Sequence, residues 1–313
     1  MDRRAQPEPI TPTPTLPTQT FEGRALANPA EDIYDQGLAF DVGTLLDRRR
    51  MLKLMGFTGL SAGLVVLAGC APSAGASSAG ASSAAATATA AASAAASTAA
   101  ADCAVIPEET AGPFPGDGSN GPDVLSQSGV VRADIRSSFG SYSGTAAGVP
   151  LTIKLAIQDL ANGCAPLAKA AVYVWQCDRD GNYSLYSQAA ASQNYLRGVQ
   201  EAGADGTATF QSIFPACYSG RWPHIHFEVY PNLAAATDDA NKNATSQIAL
   251  PKDTCDAVYA TDGYAQSVRN LQGVSLTSDM VFGDDGGIHE IGTIAGSVGS
   301  GYTVTLAVPV RTA

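Results

Sequence analysis

The chain has 313 residues, 45% of them hydrophobic and 15% charged, and a formal net charge of −11. That length holds one or two domains, although much of the apolar fraction is alanine in a single biased tract. The acidic excess repels phosphate backbones, which argues against nucleic-acid binding and leaves small neutral ligands open.

Residues 1–47 are rich in Pro, Thr and acidic residues and lack sustained periodicity, which predicts a disordered leader. Asp47-Arg48-Arg49-Arg50-Met51-Leu52-Lys53 then precedes an apolar stretch, Leu54 to Gly69, that closes in Leu67-Ala68-Gly69-Cys70. A basic region, a moderately apolar one and small residues at the cut make residues 48–70 an export signal. The paired arginines resemble a twin-arginine signal. The Leu-Ala-Gly-Cys ending resembles a lipoprotein cleavage box, which would make Cys70 the lipidated first residue of the mature protein. As a transmembrane anchor, the alternative, the sixteen residues from Leu54 to Gly69 are short for a span of about 20. Residues 71–102 are nearly all Ala, Ser, Thr and Gly, too poor in apolar area to offset the entropy of ordering, and read as a flexible linker. The expected location is outside the cytoplasm: lipid-anchored to the outer face of the cell membrane, or else secreted or periplasmic.

Residues 103–313 form the folded domain, and its patterning is mostly β. Leu151, Ile153, Leu155 and Ile157 alternate with Thr152, Lys154, Ala156 and Gln158; Tyr302, Val304, Leu306, Val308 and Val310 alternate with Thr303, Thr305 and Ala307. Residues 171–177 and 224–230 are two more β-rich runs, and turn signals stand at Asp178-Arg179-Asp180-Gly181 and between Gly203 and Gly206. Many short strands without long helical periods predict an all-β fold, an antiparallel β-sandwich with short helices and long loops. Residues 232–242 and 262–271 are the expected helices. Of six cysteines, Cys103, Cys164, Cys177, Cys217 and Cys255 remain if Cys70 carries lipid, so at least one is unpaired or bonded outside the domain; the pairing is not legible. No Cys-x-x-Cys pair exists, which disfavours a thiolate zinc site.

Two of the three histidines stand in Trp222-Pro223-His224-Ile225-His226-Phe227-Glu228-Val229. On a strand, residues i and i+2 share a face about 7 Å apart, so both imidazoles can reach one metal ion while Ile225 faces the opposite layer. Tyr218 lies six residues before His224, and Gly220 permits a turn that swings it back over the same site. Tyr183 follows a strand and the turn through Gly181. Singly, such tyrosines are usually core or rim residues.

These motifs, taken in order, resemble the intradiol ring-cleavage dioxygenases, which include catechol 1,2-dioxygenase and protocatechuate 3,4-dioxygenase. The resemblance covers roughly residues 103–310. Pro107-Glu108-Glu109-Thr110-Ala111-Gly112-Pro113-Phe114 looks like the family's opening segment. Cys164-Ala165-Pro166-Leu167 and Val172-Tyr173-Val174-Trp175 lead to Gly181-Asn182-Tyr183-Ser184. Arg197-Gly198-Val199-Gln200, then Tyr218-Ser219-Gly220-Arg221-Trp222-Pro223-His224-Ile225-His226, and finally Thr245-Ser246-Gln247 complete the set.

The resemblance implies one non-haem Fe(III) per chain, with Tyr183, Tyr218, His224 and His226 as its ligands. It also implies an active-site arginine at Arg221 and a supporting glutamine at Gln247, which would orient either His226 or Arg221. In the best-known members the second tyrosine stands farther upstream of the histidines; shorter extracellular-type members share the Tyr-x-Gly-Arg-x-x-His-x-His spacing found here. His289 matches no family ligand and reads as a surface loop residue. The implied partners are a catechol-type small molecule and O2, and the implied product is a muconate-type diacid, with Tyr218 leaving the metal to act as a base. Two other readings compete: a non-catalytic exported β-sandwich that serves as a binding module, and a zinc or copper enzyme built on the histidine pair.

Overall fold

The computed structural model describes residues 103–312 and, ahead of them, the backbone of two short paired strands, β1 (Thr20–Phe21) and β2 (Arg24–Ala25). The signal at 48–70 with Cys70, the linker at 71–102 and the rest of the leader at 1–47 lie outside the described residues.

The domain is built from β3 (Pro150–Asp159), β4 (Ala165–Pro166), β5 (Ala171–Trp175), β6 (Arg197–Glu201), β7 (Thr207–Ile213), β8 (His224–Tyr230), β9 (Ala244–Ala249), β10 (Thr293–Ser297) and β11 (Gly301–Val310). They make two sheets. One runs β10-β11-β3, with both β4 and β7 also paired to β3; the other runs β6-β5-β8-β9. Along β3 the alternation read from sequence is realised: Leu151, Ile153, Leu155 and Ile157 are buried, while Lys154 between them is exposed. They meet Val172 and Val174 of β5 and Ile225, Phe227 and Val229 of β8 in one core between the sheets. Each such side chain contributes about 1.5–3 kcal/mol relative to exposure.

The pairings are antiparallel except for β3 with β11, which run parallel from Leu151↔Tyr302 to Asp159↔Val310. The alternation of β11 announces a strand with one buried face; it carries no information about the direction of its partner, so this departure from a purely antiparallel sandwich was not legible. At the end of β3, Asp159 accepts the Ala161 amide and caps a short 3-10 turn, and Gly163 and Cys164 take left-handed conformations to reach β4. The disulfide Cys103–Cys164 ties the start of the domain to this turn. Cys177, Cys217 and Cys255 are free and buried.

Two helices close the fold, α1 (Lys252–Tyr259) and α2 (Ala265–Gln272). The second matches the expected 262–271. The expected helix at 232–242 is instead a run of turns with one 3-10 turn at Asp239–Asn241. Asn232 Oδ1 takes the Ala235 amide and Asp238 Oδ1 takes the Ala240 amide, so local side chains compete with helical pairing. The first helix, Lys252–Tyr259, was not among the expected helices.

The β6-β5-β8-β9 sheet is covered on both faces. Tyr173, Trp175, Val199 and Tyr230 lie on its outer face under Phe114, Val124, Leu125 and Val130 of the long N-terminal loop. That loop is pinned by the Glu109 amide to Thr245 O at 2.8 Å and by a bridge between Val131 and Val199. β8 is therefore buried throughout its length, on both faces.

Candidate metal centre

Strand register sets out the site. Arg197 pairs with Trp175, Trp175 with His226, and His226 with Gln247, so one row crosses all four strands of the sheet. Directly paired residues point to the same face. His224 and His226 share this outer face, while Ile225 and Phe227 enter the core between the sheets, as the spacing predicted.

The His224 Nδ1 meets the Trp222 carbonyl at 2.5 Å. That contact puts the proton on Nδ1 and turns the Nε2 lone pair toward the site. The His226 ring stacks on Trp175, centroids 4.8 Å apart and planes 6° from parallel. Burial, then the Arg221 charge, holds His224 well below the usual imidazole range; burial, then His224 and Arg221, does the same to His226. Both rings are neutral, the form that donates to a metal.

The tyrosines arrive by turns. Asp178 Oδ1 accepts the Asp180 and Asn182 amides, and Gly181 at φ +90° completes the bend that delivers Tyr183. Gly220 at φ +80° turns the chain between Tyr218 and Arg221, where an ordinary side chain would be strained. Tyr183 Oη lies 3.2 Å from His226 Nε2 and 3.4 Å from His224 Nε2. Tyr218 Oη lies 3.1 Å from His224 Nε2 and 3.5 Å from Tyr183 Oη. The two Nε2 atoms are 3.1 Å apart. Ligands about 2.0–2.1 Å from a common ion stand about 3.0–3.5 Å from one another, so this donor set fits a single metal. Among the described residues no three His, Cys, Asp or Glu side chains converge in this way; the anionic donors available here are phenols. A hard, highly charged cation suits such oxygens, and coordination removes a phenol's proton despite its usual pKa near 10.

Arg221 is 1% exposed and faces the site, with Nη1 3.5 Å from His224 Nε2. Its Nη2 donates to Gln247 Oε1 at 2.7 Å, and Gln247 Nε2 donates to the Thr110 carbonyl at 3.0 Å. Of the two roles left open for Gln247, the geometry is that of a support for Arg221. The Nε of Arg221 donates to Asp279 Oδ2 at 2.9 Å, and the same oxygen accepts the Trp222 amide. Asp279 Oδ1 accepts the Val281 and Phe282 amides. Sequence reading missed Asp279: it belongs to no local motif, and its role follows only from contact across 58 residues. It missed Glu228 too, on the same face as His226, which burial and then Asp117 push up to about 8. His289 is exposed and outside the cluster.

No known family profile matches the chain. Among curated proteins, chlorocatechol 1,2-dioxygenase of Rhodococcus opacus is 42% identical over 53 residues, or 17% of this chain. The chain thus matches about a fifth of the length of that relative, 21%. Among solved structures, an intradiol ring-cleavage dioxygenase from Tetranychus urticae superposes with a TM-score of 0.50 at 24% identity, covering 67% of this chain and 95% of its own. A second solved dioxygenase gives a TM-score of 0.52 at 24% identity, with the same coverage. Two layers of strands, the outer-face histidine pair and these superpositions agree: the chain has the fold of the intradiol ring-cleavage dioxygenases.

Proposed function

We propose that the domain is an oxygen-incorporating enzyme that opens a catechol-type ring between its two hydroxyl-bearing carbons, with one non-haem Fe(III) held by Tyr183, Tyr218, His224 and His226. The observation that carries this reading is the convergence of two phenol oxygens and two imidazole Nε2 atoms, neighbours 3.1–3.5 Å apart. When bound, ferric iron supplies the charge that acidifies the diol and the electronic coupling that lets a spin-paired ring react with O2.

The residues divide the remaining work. His224 and His226, neutral and held by Trp222 O and the Trp175 ring, supply fixed nitrogen donors. Tyr183, 2% exposed, would be the enclosed phenolate holding the metal, and Tyr218, half-buried, would be the more accessible phenol oxygen, able to accept a proton from the diol. Arg221 stabilises negative charge developing on the substrate oxygens, and Asp279 and Gln247 hold its guanidinium in line. Both atoms of O2 enter the product, a muconate-type diacid.

An exported enzyme, lipid-anchored through Cys70 or else secreted or periplasmic, is the location proposed. The signal pattern at 48–70 supports it, as does the Cys103–Cys164 disulfide, a bond typical of oxidising compartments.

The test is oxygen uptake by iron-loaded protein against a panel of catechol, hydroxyquinol, protocatechuate and larger aromatic diols, with products identified. One O2 consumed per ring and a diacid product support the reading; no uptake with any diol by fully loaded protein overturns it.

A further inference from the structure

Arg197 opens β6 and is entirely buried. Among the described residues no carboxylate pairs with it. A buried charge without a counter-ion is costly, so its retention calls for a physical reason. All of its donors end on uncharged oxygens. Nε donates to Ser184 Oγ at 3.0 Å, and Nη2 to Ser184 O at 3.0 Å and to Phe114 O at 2.9 Å. Nη1 donates to Pro115 O at 2.6 Å and to Tyr173 Oη at 3.0 Å.

These five bonds join three elements. Ser184 follows Tyr183 directly. Phe114 and Pro115 belong to the N-terminal loop, and the Phe114 ring packs on Tyr183 with centroids 5.0 Å apart. Tyr173 belongs to β5, two residues from the Trp175 that stacks on His226. The backbone shows what the guanidinium holds in place. Leu185, just after Ser184, and Leu196, just before Arg197, both take left-handed conformations, φ +74° and +56°, that leucine seldom adopts. Strained residues of this kind persist only where surrounding contacts over-determine them. Ser184 Oγ also donates to the Tyr195 carbonyl, closing the link between the two strained points. Gly116 completes the fit, since a Cβ there would come within 2.7 Å of Arg197 Nη1.

We propose that Arg197 is a positioning residue for the metal centre, binding the Tyr183 loop and the N-terminal loop over it to β5; it rests on the ferric reading only for what Tyr183 then holds. Lysine cannot replace it fully, because one ammonium cannot span three directions as a planar fork does.

Hydrogen exchange of the metal-free full chain tests this without iron. The Gly116 amide, bonded to Tyr186 Oη, and the Leu185 amide, bonded to Ala190 O, report on the two loops. Arg197→Gln should speed exchange at both by tenfold or more and leave the β3 and β11 amides within twofold of wild type. Arg197→Lys should fall between. Ser184→Ala, a milder change, should affect Leu185 more than Gly116. In iron-loaded protein the same variants should shift the tyrosinate-to-iron absorption. Wild-type exchange at both loops, or an equal rise at every amide, would overturn the proposal. If the local pattern appears but the wild type takes up no ferric iron, the positioning stands and the ferric reading falls.

Discussion

Arg221 and Asp279 form a buried ion pair, Nε to Oδ2 at 2.9 Å, with the two side chains 1% and 0% exposed. The pair lets a cationic side chain stand 3.5 Å from the His224 imidazole without leaving its charge uncompensated. Asp279→Asn keeps the shape and removes the charge. Breaking a buried pair from one side costs about 3–5 kcal/mol. The variant should therefore unfold at clearly lower urea, and adding Arg221→Gln should recover part of the loss. An unchanged midpoint in Asp279→Asn would mean the pair does not carry this charge balance.

Glu290 gives the domain a pH dependence. Burial first, then the Glu109 charge, pushes its carboxyl from 4.5 up to about 8. Between those values the folded state holds a proton that the unfolded state releases, so stability falls as pH rises from about 4.5 through 8. Metal-free protein should melt at a lower temperature at pH 9 than at pH 5.5, and Glu290→Gln should narrow that difference, with Glu228, also pushed up to about 8, supplying part of the remainder. A melting temperature that is higher at pH 9, with no effect of the substitution, would contradict it.

The Cys103–Cys164 bridge closes a loop with a sequence separation of 61. Crosslinks of this kind typically contribute about 2–4 kcal/mol. Cys164→Ser should thus lower the melting temperature by about 5–15 °C. Because the bridge sits at the β3–β4 turn, iron uptake by the folded variant should be retained. Scanning calorimetry of the two proteins decides it.

How much of this was legible depended on distance along the chain. The alternation in 150–159 and 301–310 reported two buried faces directly, and His224-Ile225-His226 declared a shared face because strand geometry is local. The tyrosines were found only through the order of motifs, since the turns at Gly181 and Gly220 that deliver them say nothing about their destination. Asp279, the choice of Arg221 as the partner of Gln247, the disulfide pairing and the parallel run of β11 beside β3 all depend on contacts between distant segments. The helix expected at 232–242 failed for a local reason: Asn232 and Asp238 take the amides that a helix would have used.

The most direct test of the ferric centre is the visible absorption of iron-loaded wild type beside Tyr183→Phe. A red-brown tyrosinate-to-iron band that changes when catechol is added, and that bleaches together with ring-opening activity in Tyr183→Phe, is the predicted result. A colourless wild type holding stoichiometric zinc, or a Tyr183→Phe variant that keeps both colour and activity, would contradict it.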